Sequence, residues 1–155
     1  MFFGKYFYML DVKDAKILRV LEQDAKLTNE EISRKTGMPT TTVHNRIKRL
    51  EKSGIIRGYV ALVDKKKLGR EISAYILITV DYKLLKQRGL SQHDLARTLR
   101  KYDFVEDVNM VTGQSDLILK ISVDNVGKLD DFITKDLRNI DGVERTQTLM
   151  VLSSF

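Results

Sequence analysis

Residues 29–57 constrain the fold more than any other stretch, because they carry two helical apolar patterns separated by a glycine and a proline. Thr28 with Glu31 three residues on forms a capping box, so a short helix starts there with Ile32 on its buried side. Gly37 ends that helix, since glycine takes left-handed backbone at no steric cost, and Pro39 cannot continue it. Over residues 40–54, Val43, Ile47 and Leu50 recur at the spacing of one helix face. At about 100° per residue, Thr41, Asn45, Lys48, Arg49 and Lys52 fan out opposite, with Thr42 and His44 at the edges. Two helices joined by a tight turn, the second polar and basic outside, make a helix-turn-helix, and these side chains are the types that meet bases and phosphates.

The charge is concentrated in the same place. Between Arg34 and Arg57, seven basic residues (Arg34, Lys35, Arg46, Lys48, Arg49, Lys52, Arg57) face only Glu51, a surplus equal to the whole formal net charge of +6. Basic charge confined to one helical hairpin is the footprint of a nucleic-acid contact; a solvated helix face is the plain alternative. The absence of cysteine removes disulfides, thiolate metal sites and cysteine nucleophiles, and two histidines are too few for a histidine metal cluster. No metal site is therefore expected, and no catalytic residue or cofactor is assigned. No run approaches the ~18 apolar residues of a membrane span. The aromatic opening, residues 1–10, is broken by Lys5 and lacks a small-residue cleavage site, so it does not read as a signal peptide and a cytoplasmic location is expected.

Ahead of the helical hairpin, Asp11 and Asp14 resemble an N-cap with its acidic partner, and Ile17, Leu18 and Leu21 supply a stripe, predicting a first helix over Val12–Gln23. Gly54 should close the third helix, and residues 55–63 read as a strand or hairpin wing. The run at 65–70, Lys-Lys-Lys-Leu-Gly-Arg, marks a domain junction. Beyond it the pattern predicts strands at 72–81, 105–112, 116–123 and 143–152, with helices at 94–102 and 126–137. A weak internal repeat supports this order. Leu99, Arg100, Asp103, Val105 and Glu106 match Leu137, Arg138, Asp141, Val143 and Glu144 at an offset of 38 residues, whereas residues 78–81 match 121–124 at 43, so a loop near 84–93 is longer in the first copy. Two βαβ copies in succession make the ferredoxin-like βαββαβ arrangement, whose sheet has one face covered by helices. The strand at 72–80 is apolar on both faces, so the open face is expected to meet a second copy and form a homodimer.

These residues resemble the Lrp/AsnC, or feast/famine, regulators of bacteria and archaea. In the first half the likeness is carried by Leu10-Asp11, Gly37-Met38, Val43, Arg46-Ile47, Arg49-Leu50-Glu51, Gly54-Ile55-Ile56 and Gly58; in the second by residues 112–116 (Thr-Gly-Gln-Ser-Asp), Gly142-Val143, Thr146 and Thr148. The resemblance implies an α+β chain with an N-terminal winged helix-turn-helix (1–58), a β-strand linker (59–71) and a C-terminal ferredoxin-like effector-binding and dimerisation domain of the RAM/ACT-like kind (72–155), assembled as dimers and octamers. Two positions depart from the family pattern. Pro39 stands where a serine cap is usual, which leaves the cap to Thr40 or the backbone, and Ser115 stands where an aromatic often precedes the aspartate.

The expected partner is double-stranded DNA. Thr41, Thr42, His44 and Asn45 are base-reading candidates at the start of the third helix, with Asn45 able to hold adenine bidentately, and Thr40 is a further DNA-contacting candidate. Lys48, Arg49 and Lys52 are candidates for phosphate, as is Asn29 through the start of its own helix, while Arg46 has two candidate partners, phosphate or a neighbouring carboxylate. For an amino-acid effector the resemblance implies Gly113, Asp116, Thr146 and Thr148; the alternative is a plain turn closed by polar residues. His93 reads as a loop histidine without a role. The leading reading is a sequence-specific transcriptional regulator. A related branch that decarboxylates iron tetrapyrroles and an architectural DNA-binding protein are the alternatives.

Overall fold

The computed structural model describes residues 10–153, and the opening aromatic residues with their signal-peptide reading lie outside that span, Leu10 excepted. The chain divides into two compact units, Met1–Leu62 and Val63–Phe155.

The first unit is built from α1 (Val12–Gln23), α2 (Asn29–Thr36) and α3 (Thr40–Lys52). Both expected capping boxes form. Asp11 accepts from the Asp14 N–H at 2.8 Å and Asp14 accepts in return, while Thr28 and Glu31 exchange the same pair of bonds at the head of α2. Gly37 ends α2 at φ 71°, and the Ser33 hydroxyl donates to the Met38 carbonyl across the turn. Gly54, at φ 75°, lets the chain fold back so that the Ile55 and Ile56 N–H groups both reach the Leu50 carbonyl. Ile17, Leu21, Ile32, Met38, Val43 and Leu50 are buried together where the three helices meet, with Ile47 and Ile56 packed against them.

Residues 55–63 differ from the expected wing. No strand forms there, nor anywhere in 59–71, where the only regular element is a 3-10 turn at Lys66–Leu68. The physical reason is that a strand exists only in a ladder. Val60 (85% exposed) and Leu62 (101%) have no neighbouring strand among the described residues on which to pair.

The second unit runs β1 (Ile72–Val80), α4 (Tyr82–Gln87), α5 (Gln92–Leu99), β2 (Val105–Met110), β3 (Leu117–Val123), α6 (Val126–Asp131) and β4 (Val143–Met150), with α6 prolonged by a π turn at Phe132–Asp136 and a 3-10 turn at Leu137–Asn139. The sheet order β2-β3-β1-β4, antiparallel throughout, is that of the ferredoxin-like βαββαβ arrangement, so the fold is α+β as expected. Ala74, Ile76, Ile78 and Val80 of β1 and Leu117, Leu119, Ile121 and Val123 of β3 point to the helix-covered side, where Leu95, Leu99, Leu129, Phe132 and Leu137 meet them. Each such side chain contributes at most about 1.5–3 kcal/mol by leaving water. Tyr102, Phe104 and Phe132 lock the edge of this core, with ring centroids 4.9–5.4 Å apart.

The stretch read as a longer loop is instead helical. The Asp81 carboxylate accepts from the Leu84 N–H at 2.8 Å and starts α4, which is only six residues long and buries Leu85, and His93 lies in the first turn of α5 rather than in a loop. Gly142 closes the same corner at φ 96°. A Cβ there would lie 2.3 Å from a methyl of Leu85, so glycine is required both by conformation and by space.

Candidate nucleic-acid interface

On α3 the residues facing away from the core are the expected ones. Thr40, Thr41, His44, Asn45, Lys48, Arg49 and Lys52 are exposed and Thr42 is half-buried, whereas Val43 and Leu50 are fully covered. No side chain caps the helix, Thr40 included; Pro39 occupies the N-cap, and its carbonyl accepts from the Val43 N–H at 3.0 Å.

Arg46 turns inward, to the carboxylate alternative. Its Nη1 lies 2.7 Å from Asp11 and 2.7 Å from Asp14, and the Asp14 side chain has no exposure at all. The hydrogen bonds that Arg46 donates to Asp14 and then to Asp11 raise its pKa above the ordinary value, so the guanidinium stays charged, while the Asp14 N–H and then Arg46 hold the Asp11 carboxyl below its ordinary value. Arg46 thereby ties α3 to α1 through the carboxylates of Asp11 and Asp14. Arg49, half exposed, also reaches Asp14 at 3.4 Å. Asp14 is the residue that sequence reasoning missed. It was legible as a capping partner, but its burial and its partners 32 and 35 residues away were not.

Asn29 and His44 are brought together. Asn29 opens α2, and its amide nitrogen Nδ2 lies 3.2 Å from His44 Nδ1 on α3. Beyond α3, the Tyr59 hydroxyl donates to Glu51 at 2.8 Å, and burial, then that hydrogen bond and the Glu51 charge, push its pKa up to about 12.

In the second unit the effector candidates are spread over two elements. Asp116 N–H donates to the Ile78 carbonyl, and Thr146 pairs with Ile78 from the other side, so these two flank one residue of β1. Thr148 pairs with Ile76, two residues further along, and Gly113 lies in the β2–β3 connection at φ 130°. The Asp116 carboxylate is engaged. One oxygen accepts from the Val80 N–H and the other from the Tyr82 hydroxyl, both at 2.8 Å, and that bond to Asp116 raises the Tyr82 pKa. Thr146 lines an open hollow of about 280 Å³ with Arg138, Val143, Glu144 and Arg145. Among the described residues no group of three or more His, Asp or Glu side chains is placed to hold a metal ion, and no helix is long and apolar enough to cross a membrane.

Residues 10–57 match the winged helix-turn-helix DNA-binding family model, and residues 73–155 match the Lrp/AsnC ligand binding domain. The chain belongs to the Lrp/AsnC family. Within it, the chain is 38% identical over 144 residues to the HTH-type transcriptional regulator FL11 of Pyrococcus furiosus, covering 93% of this chain and 90% of that protein. The FL11 regulator of Pyrococcus abyssi is 36% identical, with 94% and 91% covered. Among solved structures, a transcriptional regulator of Neisseria meningitidis in complex with L-Met superposes with a TM-score of 0.84 at 30% identity, covering 94% of this chain and 91% of that one. LrpC of B. subtilis gives a TM-score of 0.80 at 26% identity, with 95% and 97% covered. Family membership thus joins the helix-turn-helix and the ferredoxin-like unit in one DNA-binding regulator.

Proposed function

We propose that this chain, a DNA-binding transcriptional regulator of the Lrp/AsnC family, acts in the cytoplasm without enzymatic activity, binding palindromic promoter sites as a homodimer or an octamer of four dimers. The observation that carries the reading is α3, whose uncovered side presents Thr41, His44, Asn45, Lys48 and Lys52 together while Arg46 is tied to α1 behind it. In a helix-turn-helix the start of that helix meets base edges, so Thr40, Thr41, Thr42, His44 and Asn45 read sequence, and Lys48, Arg49 and Lys52 neutralise phosphates. Residues 1–58 serve as the reading domain, 59–71 as linker and 72–155 as the domain of assembly and effector binding. The uncovered face of the sheet supports a dimer, because Tyr75 and Leu149 stand exposed there on neighbouring strands, beside Leu77 and Ile118. An amino acid is the effector class, supported by the L-Met complex of the Neisseria relative. Gly113, Asp116, Thr146 and Thr148 are its candidate contacts, with Asp116 reached by displacing the Tyr82 hydroxyl.

Selection of bound sequences from a random DNA pool, with and without a mixture of amino acids, tests all of this together. Enrichment of a palindrome with half-sites one helical turn or a multiple apart, roughly 34–36 Å per turn, is the expected result. Recovery of unselected DNA would instead indicate an architectural protein. No observation favours the iron-tetrapyrrole alternative, and an unchanged porphyrin absorbance on mixing is the expected outcome there.

A further inference from the structure

We propose that Asn29 sets the chemistry with which His44 reads DNA, by fixing the imidazole in the form that presents a hydrogen-bond donor outward. This rests on the reading of α3 as the groove-facing helix. An amide nitrogen has no lone pair to offer, so in the 3.2 Å contact Asn29 Nδ2 donates and His44 Nδ1 accepts. With Nδ1 used as an acceptor, the neutral ring carries its proton on Nε2, the nitrogen on the far side of the ring from Asn29. His44 is exposed, Asn29 is half-buried at the first position of α2, and the two come from different helices of the hairpin, so the contact also holds the ring in a defined place.

A fixed Nε2–H selects for acceptors and against donors. In the major groove guanine offers two adjacent acceptors, N7 and O6; adenine offers N7 beside a donor amino group; thymine offers O4; cytosine offers only a donor. His44 accordingly favours guanine and disfavours cytosine at one position of each half-site. Asn29 is a positioning residue in this arrangement: it touches no base and acts through His44.

The test is the random-pool selection with the full-length protein, followed by competition binding at the position assigned to His44. Wild type is expected to prefer guanine over cytosine there by about fivefold to tenfold, the worth of one net hydrogen bond. His44→Phe, a ring without donors, should abolish the preference at that position alone, and His44→Gln, whose amide can place a donor near the same point, should restore part of it. Asn29→Ala should weaken the preference in the wild-type background and do nothing further in His44→Phe, a coupling that a merely structural Asn29 would not produce. Both residues lie outside the apolar core, so the variants should melt with the wild type, and thermal unfolding checks it. Identical enrichment by wild type and His44→Phe overturns the His44 assignment alone. Uniform loss of affinity across all sequences overturns it in favour of a phosphate contact. A pool in which wild type enriches nothing removes the sequence-specific reading, and this proposal with it.

Discussion

The two units of this chain solve the same problem with different materials. Among the described residues the ferredoxin-like unit buries sixteen apolar side chains in one cluster, whereas the three-helix unit buries six and adds a covered carboxylate, Asp14, bound to Arg46 and Arg49. A small unit has little interior to spare, and here charged side chains join the apolar ones in fixing α3 on α1. A buried ion pair contributes little net stability beside an apolar replacement, yet losing one partner leaves the other charge uncompensated. The helix-turn-helix is therefore expected to be sensitive to single changes of charge, and the sheet unit to changes of shape.

The largest effect that would break this contrast is at Asp14. Asp14→Ala should destabilise the first unit by about 3 kcal/mol, since Arg46 is left poorly hydrated with one of its carboxylates removed; urea unfolding followed by helical signal reads it, and a destabilisation below about 1 kcal/mol would show the clamp to be ornamental. Next comes shape in the second unit. Gly142→Ala combines a left-handed backbone with overlap on Leu85, and should cost about 2 kcal/mol by the same measurement. Lys48→Ala should leave stability unchanged and weaken DNA binding on all sequences, with the slope of log K against log salt becoming shallower by about 0.9, the share of a single neutralised phosphate. An unchanged slope would remove Lys48 from the interface. The smallest effect is at Tyr59. Its folded pKa of about 12 lies above the ordinary 10, so the stabilisation it provides is present below pH 10 and is lost as the pH rises from 10 to 12. Absorbance titration should show a phenol ionising near pH 12 that Tyr59→Phe removes.

Local chemistry was legible in the sequence, and distant chemistry was not. The ends of α1 and α2 follow from Asp11 with Asp14, Thr28 with Glu31, and Gly37, because a cap is decided within four residues. The buried face of β3 follows from the alternation of Leu117, Leu119, Ile121 and Val123. Short α4 escaped, because six residues with one buried leucine carry too little periodicity to stand out from a loop. The wing escaped in the opposite sense: residues 55–63 are apolar and β-branched as a strand's often are, but pairing is settled by whatever lies alongside. At the candidate sites the face of α3 was readable from helical spacing alone. The pairing of Arg46 with Asp14, the engagement of Asp116 by Tyr82, and the meeting of Asn29 with His44 all depend on side chains fifteen to thirty-four residues apart.

Pro39 carries one more consequence. α1 and α2 are each sealed at the start by a reciprocal pair of side-chain hydrogen bonds, and α3 begins without one. Its opening turn has no side-chain cap, so amide exchange is expected to be quicker at residues 40–42 than in the first turns of α1 and α2. The end of α3 proposed to meet the bases is thus the end without a side-chain seal, while the middle of the helix is anchored on α1 through Arg46.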